Sequence, residues 1–261
     1  MASYIGKHAS LYDLFYSDKD YNAESDFIHQ LIAESHGSES SEVLELACGT
    51  GNHAFCLENK GYSILATDNS DGMIDQAKIK AKERSSNVQF EMIDMRDIGD
   101  IPRKFDVILC LFDSIGYLIS NNNIRTVFKN VYEKLNEGGI FIVEFWHAAA
   151  MLKGYDPIRI KKWKFENSEI LRISETSIDI GSQSCDVRYS IYQTHKDGTY
   201  SFLEETQKNR FFLLQEMNNM LENSYFEIID NLAGYSKEQK IDENAWHILT
   251  IAQKISHRID S

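Results

Sequence analysis

Proline is nearly absent: there are 2 in 261 residues, Pro102 and Pro157. No Ser/Gly-rich linker and no internal repeat is found, which speaks against a string of flexibly joined modules and against a solenoid. Cysteine is scarce as well. Cys48, Cys56, Cys110 and Cys185 form no C-x-x-C pair and lie in or near apolar segments, as expected of reduced core thiols in a cytoplasmic protein. No apolar run approaches the roughly 20 residues that span a bilayer, and no basic stretch followed by an apolar one opens the chain. Neither a membrane partner nor a secretory signal is expected. Positive charge is in deficit: 27 Lys and Arg stand against 40 Asp and Glu, a net charge of −13. Such a body repels a polyphosphate, so a nucleic-acid partner is not expected. His8, His29, His36 and His53 lack metal-ligand spacing, so no metal is expected, and no G-x-S-x-G elbow occurs.

What is present reads as a globular α/β protein. The chain is 43% hydrophobic and 26% charged, long enough for one large domain or a core with a lid. An aromatic cluster (Tyr12, Phe15, Tyr16, Tyr21) precedes an amphipathic helix at 23–34. Strand signals at 42–47, 62–67, 88–93, 105–112 and 140–145 then alternate with helical ones at 52–59, 71–83 and 124–135. That alternation predicts a doubly wound, mostly parallel sheet. The pattern breaks near Ala148. Strand signals at 170–177, 185–194 and 199–214 suggest an antiparallel insertion after strand five, followed by a helix at 214–223 and strands at 226–231 and 246–253. The expected division is a core at 1–147 and 208–261 with an insertion at 148–207.

In an open parallel sheet a ligand sits beyond the carboxyl ends of the strands. Strand one ends in Glu45-Leu46-Ala47-Cys48-Gly49-Thr50-Gly51, whose glycines permit positive φ and close approach of a ligand. Ala54 stands where G-x-G-x-x-G has its third glycine, so this turn alone leaves a dinucleotide open. The acidic ladder says more. Asp68 ends strand two, where a carboxylate can accept both ribose hydroxyls. Asp94 ends strand three, where it can accept an exocyclic adenine amine. Glu45 would repel a pyrophosphate but favours an ammonium or sulfonium. Three carboxylates round one pocket suit a cationic, phosphate-free adenosine ligand, S-adenosylmethionine.

At this point the chain resembles a known family. Glu45-x-x-Cys48-Gly49-x-Gly51, Asp68-Asn69-Ser70-x-x-Met73-x-x-x-Ala77 and Asp94-Met95 look like the class I methyltransferases. The resemblance implies a Rossmann-like, seven-stranded, mostly parallel sheet and S-adenosylmethionine as cofactor. The expected cofactor shell is Tyr12, Tyr21, Glu45, Ala47, Gly49, Gly51, Asp68, Asn69, Met73, Asp94, Met95, Leu111 and Phe112. More narrowly, Tyr12-Asp13-Leu14-Phe15-Tyr16, Lys19-Asp20-Tyr21, Met95-Arg96-Asp97, Ser114-Ile115-Gly116-Tyr117-Leu118 and Val143-Glu144-Phe145-Trp146 resemble bacterial N,N-dimethyltransferases of nucleotide-linked amino sugars. Phe145 and His147 depart from the proline and aromatic of that pattern. The resemblance implies that the antiparallel insertion covers the active site.

Methyl transfer from a sulfonium demands alignment and exclusion of water more than covalent help. Tyr16 is the expected positioning group for the acceptor, and His147, just past strand five, is a candidate general base. The expected reaction is N-methylation of a small amine such as an amino sugar. A metal-independent small-molecule O-methyltransferase and a non-catalytic S-adenosylmethionine-binding regulator are the alternatives, and a nicotinamide oxidoreductase is disfavoured by Glu45 and Asp94. Arg159, Lys161, Lys162 and Lys164 are candidates to meet an anionic acceptor; a charged edge that discourages strand pairing is the competing reading. A homodimer is a further expectation.

Overall fold

The structure, a computed structural model, describes residues 7–36 and 42–255. The aromatic N-terminal segment forms a helix, α1 (Lys7–Phe15), followed by α2 (Tyr21–His36). Ala9, Tyr12 and Phe15 recur at helical spacing and are buried, Ala9 and Tyr12 against Met73 and Phe15 against Ile170 and Ile191, which docks α1 on the core.

Alternating units follow: β1 (Glu42–Leu46), α3 (Asn52–Glu58), β2 (Ser63–Asp68), α4 (Asp71–Arg84), β3 (Gln89–Met92), β4 (Phe105–Cys110), α5 (Asn121–Lys134) and β5 (Leu135–Trp146). After a short helix α6 (Ala148–Gly154) come four strands: β6 (Ile158–Lys164), β7 (Ser168–Asp179), β8 (Ser184–His195) and β9 (Tyr200–Arg210). The chain then returns to the first layer through α7 (Leu214–Glu222), β10 (Phe226–Ala233) and β11 (His247–Lys254). The main sheet has seven strands in the order β10-β11-β5-β4-β1-β2-β3. β1 to β5 pair in parallel, and β11 joins β5 antiparallel with His247 opposite Trp146. The central strands β1 and β4 are buried on both faces, as lying under two helical layers requires, with Glu45 the buried acid among their apolar side chains.

The second sheet, β6-β7-β8-β9, is antiparallel throughout. Two boundaries differ from the sequence expectation. The strand foreseen at 199–214 leaves the sheet at Arg210, because Phe211 and Phe212 bury their rings in the core and Phe212 N bonds to Trp146 O at 2.9 Å. The strand signal at 140–145 begins earlier, at Leu135, so that Gly138 and Gly139 lie inside β5. A Cβ on Gly139 would come within 3.0 Å of two backbone carbonyls. Cys48, Cys110 and Cys185 are buried and Cys56 half-buried, all as free thiols. Among the described residues no helix is long and apolar enough to cross a membrane.

Candidate active site

The carboxyl ends of β1, β2 and β4 converge on a cavity of about 320 Å³. The loop after β1 supplies its floor. Ala47, Gly49 and Gly51 all have positive φ, 50°, 56° and 81°. For Ala47 that conformation costs about 1–2 kcal/mol, strain of the kind that collects at functional sites. Gly49 lines the cavity, where a Cβ would meet the Tyr12 ring no closer than 3.9 Å, whereas a Cβ on Gly51 would strike the Phe90 ring at 2.6 Å, so that glycine serves packing.

Asp68 ends β2 and accepts from Gly49 N at 2.9 Å and from Ser70 N at 2.8 Å. Burial pushes its carboxyl up, against the pull of those two N–H groups. Ser70 also caps α4, accepting from Met73 N, which sets Asn69 and Met73 against the cavity. Asp94 is bonded by Arg96 Nε at 2.8 Å, and that hydrogen bond holds its carboxyl below the ordinary range. Both carboxylates line the cavity on one side.

Glu45 sits deeper, beside a chamber of about 30 Å³ that Tyr21, Leu111 and Phe112 also line. It is 2% exposed, and its Oε2 has no hydrogen-bond partner. The nearest imidazole nitrogen, His53 Nδ1, is 3.8 Å from Oε1. Burial, reinforced by the charge of Asp68, raises the Glu45 carboxyl to about 8. A buried acid with an orphan oxygen beside a small chamber fits a cationic head group.

Beyond β4, Phe112 and Asp113 adopt left-handed conformations in succession, φ 55° and 56°. Two buried carboxylates hold this turn. Glu144 Oε2 accepts from Phe112 N at 2.6 Å. Asp113 accepts from Trp146 N and from Asn209 Nδ2, each at 2.8 Å. Phe112 then stacks edge-on against Tyr16, ring centroids 5.1 Å apart, and Tyr16 leans on Tyr12 at 4.7 Å. The far wall of the cavity comes from Ser114, Tyr117 and Trp146 and, in the second sheet, from Val187, Tyr189 and Gln207. Tyr117 reaches Gln207 Oε1 at 3.1 Å, tying the two layers across the opening.

Residues 43–139 match a family model described as a methyltransferase domain. Over 141 residues the chain is 33% identical to the dTDP-3-amino-3,4,6-trideoxy-alpha-D-glucopyranose N,N-dimethyltransferase of Streptomyces venezuelae, covering 53% of this chain and 57% of that protein. It is 29% identical over 160 residues to a glycine/sarcosine N-methyltransferase of Parasynechococcus marenigrum (strain WH8102), covering 61% of this chain and 56% of that one. So the chain spans a little over half the length of these two relatives. The crystal structure of an S-adenosylmethionine-dependent methyltransferase from Clostridium acetobutylicum ATCC 824 superposes with a TM-score of 0.82 at 25% identity, covering 96% of this chain and 98% of that one. The chain is an S-adenosylmethionine-dependent methyltransferase.

In this methyltransferase the cavity brings together Tyr12, Tyr16, Ala47, Gly49, Asp68, Asn69, Met73, Asp94, Met95 and Phe112 from the sequence-derived set. Tyr21, Glu45 and Leu111 line the adjoining chamber. Gly51 and His147 line neither. Side chains alternate along an extended chain, so with Trp146 turned to the cavity, His147 points away. His147 is 7% exposed, precedes α6, and donates its backbone N–H to Trp246 O at 2.8 Å. The basic cluster stays outside as well. Lys161 pairs with Asp18 and Lys162 with Glu169 on the exposed edge strand β6.

Sequence reasoning missed the far wall. Ser114 and Tyr117 stood in a motif and could have been included. Tyr189, Gln207 and Asn209 carried no signal, since an alternating strand does not disclose which face meets the site.

Proposed function

We propose that the methyltransferase transfers its methyl group to the nitrogen of a small amine, of the amino-sugar or amino-acid kind. The observation that carries this reading is the chemistry of the far wall. It presents Ser114, Tyr117, Trp146, Tyr189, Gln207 and Asn209, and among the described residues no imidazole lines the cavity. The lining carboxylates, Asp68 and Asp94, lie on the cofactor side. A hydroxyl acceptor needs a base at its oxygen. An amine needs only to arrive neutral and be held in line. The names of two relatives, one acting on an amino sugar and one on glycine or sarcosine, agree with a nitrogen acceptor.

The residues present fit S-adenosylmethionine. Asp68 would accept from the ribose and Asp94 from the adenine amine, and the orphan Glu45 oxygen would meet the ammonium of the methionine part. When bound, this cofactor supplies a methyl already activated by its sulfonium. Tyr16 and Tyr189 offer hydroxyls that orient the amine lone pair, and the layer formed by β8 and β9 excludes water from the far side. The proton lost from the new ammonium passes to solvent at the opening.

The test is a screen of small amines, among them amino sugars and amino acids, and matched alcohols with methyl-labelled cofactor, the products analysed for the methylated atom. Label on nitrogen is expected. Label on oxygen alone would replace this reading with the O-methyltransferase one.

A further inference from the structure

Glu24 has several hydrogen-bond donors and Glu45 lacks one. Glu24, on α2, is bonded by Lys19 at Oε1 and by His53 Nε2 at 2.7 Å on Oε2, and it shares the Tyr235 hydroxyl with Glu144. Glu45, on β1, has the backbone N–H of Ala54, and its Oε2 has no partner. His53 stands between the two acids. It is 5% exposed and lines the small chamber beside Glu45. Its Nδ1 lies 3.8 Å from Glu45 Oε1, about 0.6 Å beyond an ordinary hydrogen bond. Tyr21 packs edge-on against the imidazole, centroids 4.9 Å apart, so the buried ring is not free to turn over. Glu45 also feels Asp68, and the thiols of Cys48, Cys56 and Cys110 lie within its field. Burial pushes all three thiols up, as it does the Tyr21 hydroxyl, so none of them adds charge.

A carboxylate only accepts, so the Nε2 that meets Glu24 carries the imidazole hydrogen and Nδ1 keeps its lone pair. That tautomer suits Glu45 while the acid holds its own proton. Once Glu45 is a carboxylate, a lone pair faces an anion. We propose that His53 is a positioning residue that turns its single hydrogen from Glu24 to Glu45 when a cationic head group enters the chamber. This rests on reading Glu45 as the partner of the cofactor's ammonium. The Glu45 Oε1–H bond breaks as Nδ1–H forms. Nε2–H breaks in turn, and that proton passes over the Glu24 carboxylate, whose side chain is 16% exposed, to solvent. Glu24 keeps Lys19 and its share of Tyr235. Glu45 gains a donor on Oε1, which leaves Oε2 for the ammonium. One proton is lost in all, and the imidazole stays neutral. The ammonium balances Glu45 and Lys19 balances Glu24, so an imidazolium would have no anion of its own.

The test is nitrogen-15 NMR of the imidazoles of the wild-type enzyme at pH 7, without and with S-adenosylhomocysteine, the His53 signal being the one lost in His53→Gln. Protonation at Nε2 is expected without the ligand and at Nδ1 with it. An unchanged tautomer, or an imidazolium in the complex, overturns the proposal. Calorimetry gives a second reading. S-adenosylhomocysteine should bind His53→Phe about tenfold more weakly than wild type at pH 7, where Glu45 must lose its proton. At pH 9 Glu45 has mostly lost it already, and the weakening should shrink to about twofold. The ratio of the two affinities cancels the ligand's own titration. A ratio that does not change with pH marks a packing role and overturns the proposal. Should His53→Phe not melt cooperatively, His53→Gln takes its place with the same expected ratios, since one amide cannot serve both carboxylates. If wild type binds S-adenosylhomocysteine without releasing a proton, the reading of Glu45 falls and the proposal with it. Release with an unchanged tautomer overturns the proposal alone.

Discussion

Glu144 Oε1 lies 2.7 Å from His247 Nδ1, at the point where antiparallel β11 meets the end of β5. The other oxygen, Oε2, accepts from Phe112 N at 2.6 Å and from the Tyr235 hydroxyl at 2.8 Å. Through Glu144, the last strand of the sheet thus holds the left-handed turn that presents Phe112 to the cavity. Burial alone would raise the Glu144 carboxyl. The imidazole of His247, the charge of Lys19 and the Phe112 N–H overcome it and bring the carboxyl to about 2. Burial opposes the charge on His247 too, but Glu144 prevails and the imidazole is raised above its usual 6.5.

The pair therefore gives stability a pH window. The Glu144 share is complete above the ordinary carboxyl value of 4.5 and fades as pH falls towards 2. The His247 share is complete below 6.5 and fades as pH rises through the raised value. Wild type should exceed Glu144→Gln most between those limits, by about 1–3 kcal/mol. Denaturant melts at several pH values check this, and a pH-independent difference would contradict it.

Asp68→Ala should weaken S-adenosylmethionine by about 1.5–3 kcal/mol, the worth of a charged hydrogen bond. The same change frees the Gly49 and Ser70 N–H groups, so Asp68→Asn, which keeps one acceptor oxygen, should lose less. Calorimetry decides, and unaltered affinity in Asp68→Ala would remove Asp68 from the site.

Glu45, raised to about 8, is mostly protonated at pH 7 before the cofactor arrives. A cationic head group beside it favours the carboxylate, so binding at pH 7 should release about one proton. Titration in buffers of different ionisation enthalpy counts that proton. Glu45→Gln should release none; persistence of the release would place its source elsewhere.

Tyr16→Phe should lower turnover more than cofactor affinity if, as proposed, the hydroxyl orients the acceptor. Saturation kinetics with a calorimetric cofactor titration separate the two. Collapse of cofactor binding with turnover preserved would move Tyr16 into the cofactor shell.

His147→Ala should keep more than about a tenth of the activity, since the imidazole lies outside the cavity; loss of a general base removes ~10²–10⁴-fold. Complete inactivity in a folded, cofactor-binding variant would restore His147 as a base and favour the O-methyl reading.

The alternation of strands and helices, the glycine turn and the acids at Glu45, Asp68 and Asp94 were legible in the chain itself. Local rules govern them: period-two and period-3.6 burial, glycine at positive φ, and ligands beyond strand ends. The cofactor side follows, because its residues lie at the carboxyl ends of strands that can be read one at a time. The acceptor side does not follow. Tyr117 meets Gln207 across 90 residues and Asp113 meets Asn209 across 96. Which face of β8 and β9 turns inward is decided by how the second sheet packs over the first, so Tyr189, Gln207 and Asn209 become neighbours of the site only in three dimensions. His147 shows the same limit from the other direction. Its place just past strand five suggested a base, but one step along an extended backbone reverses the side chain, and the tertiary fold put Trp146 at the cavity instead.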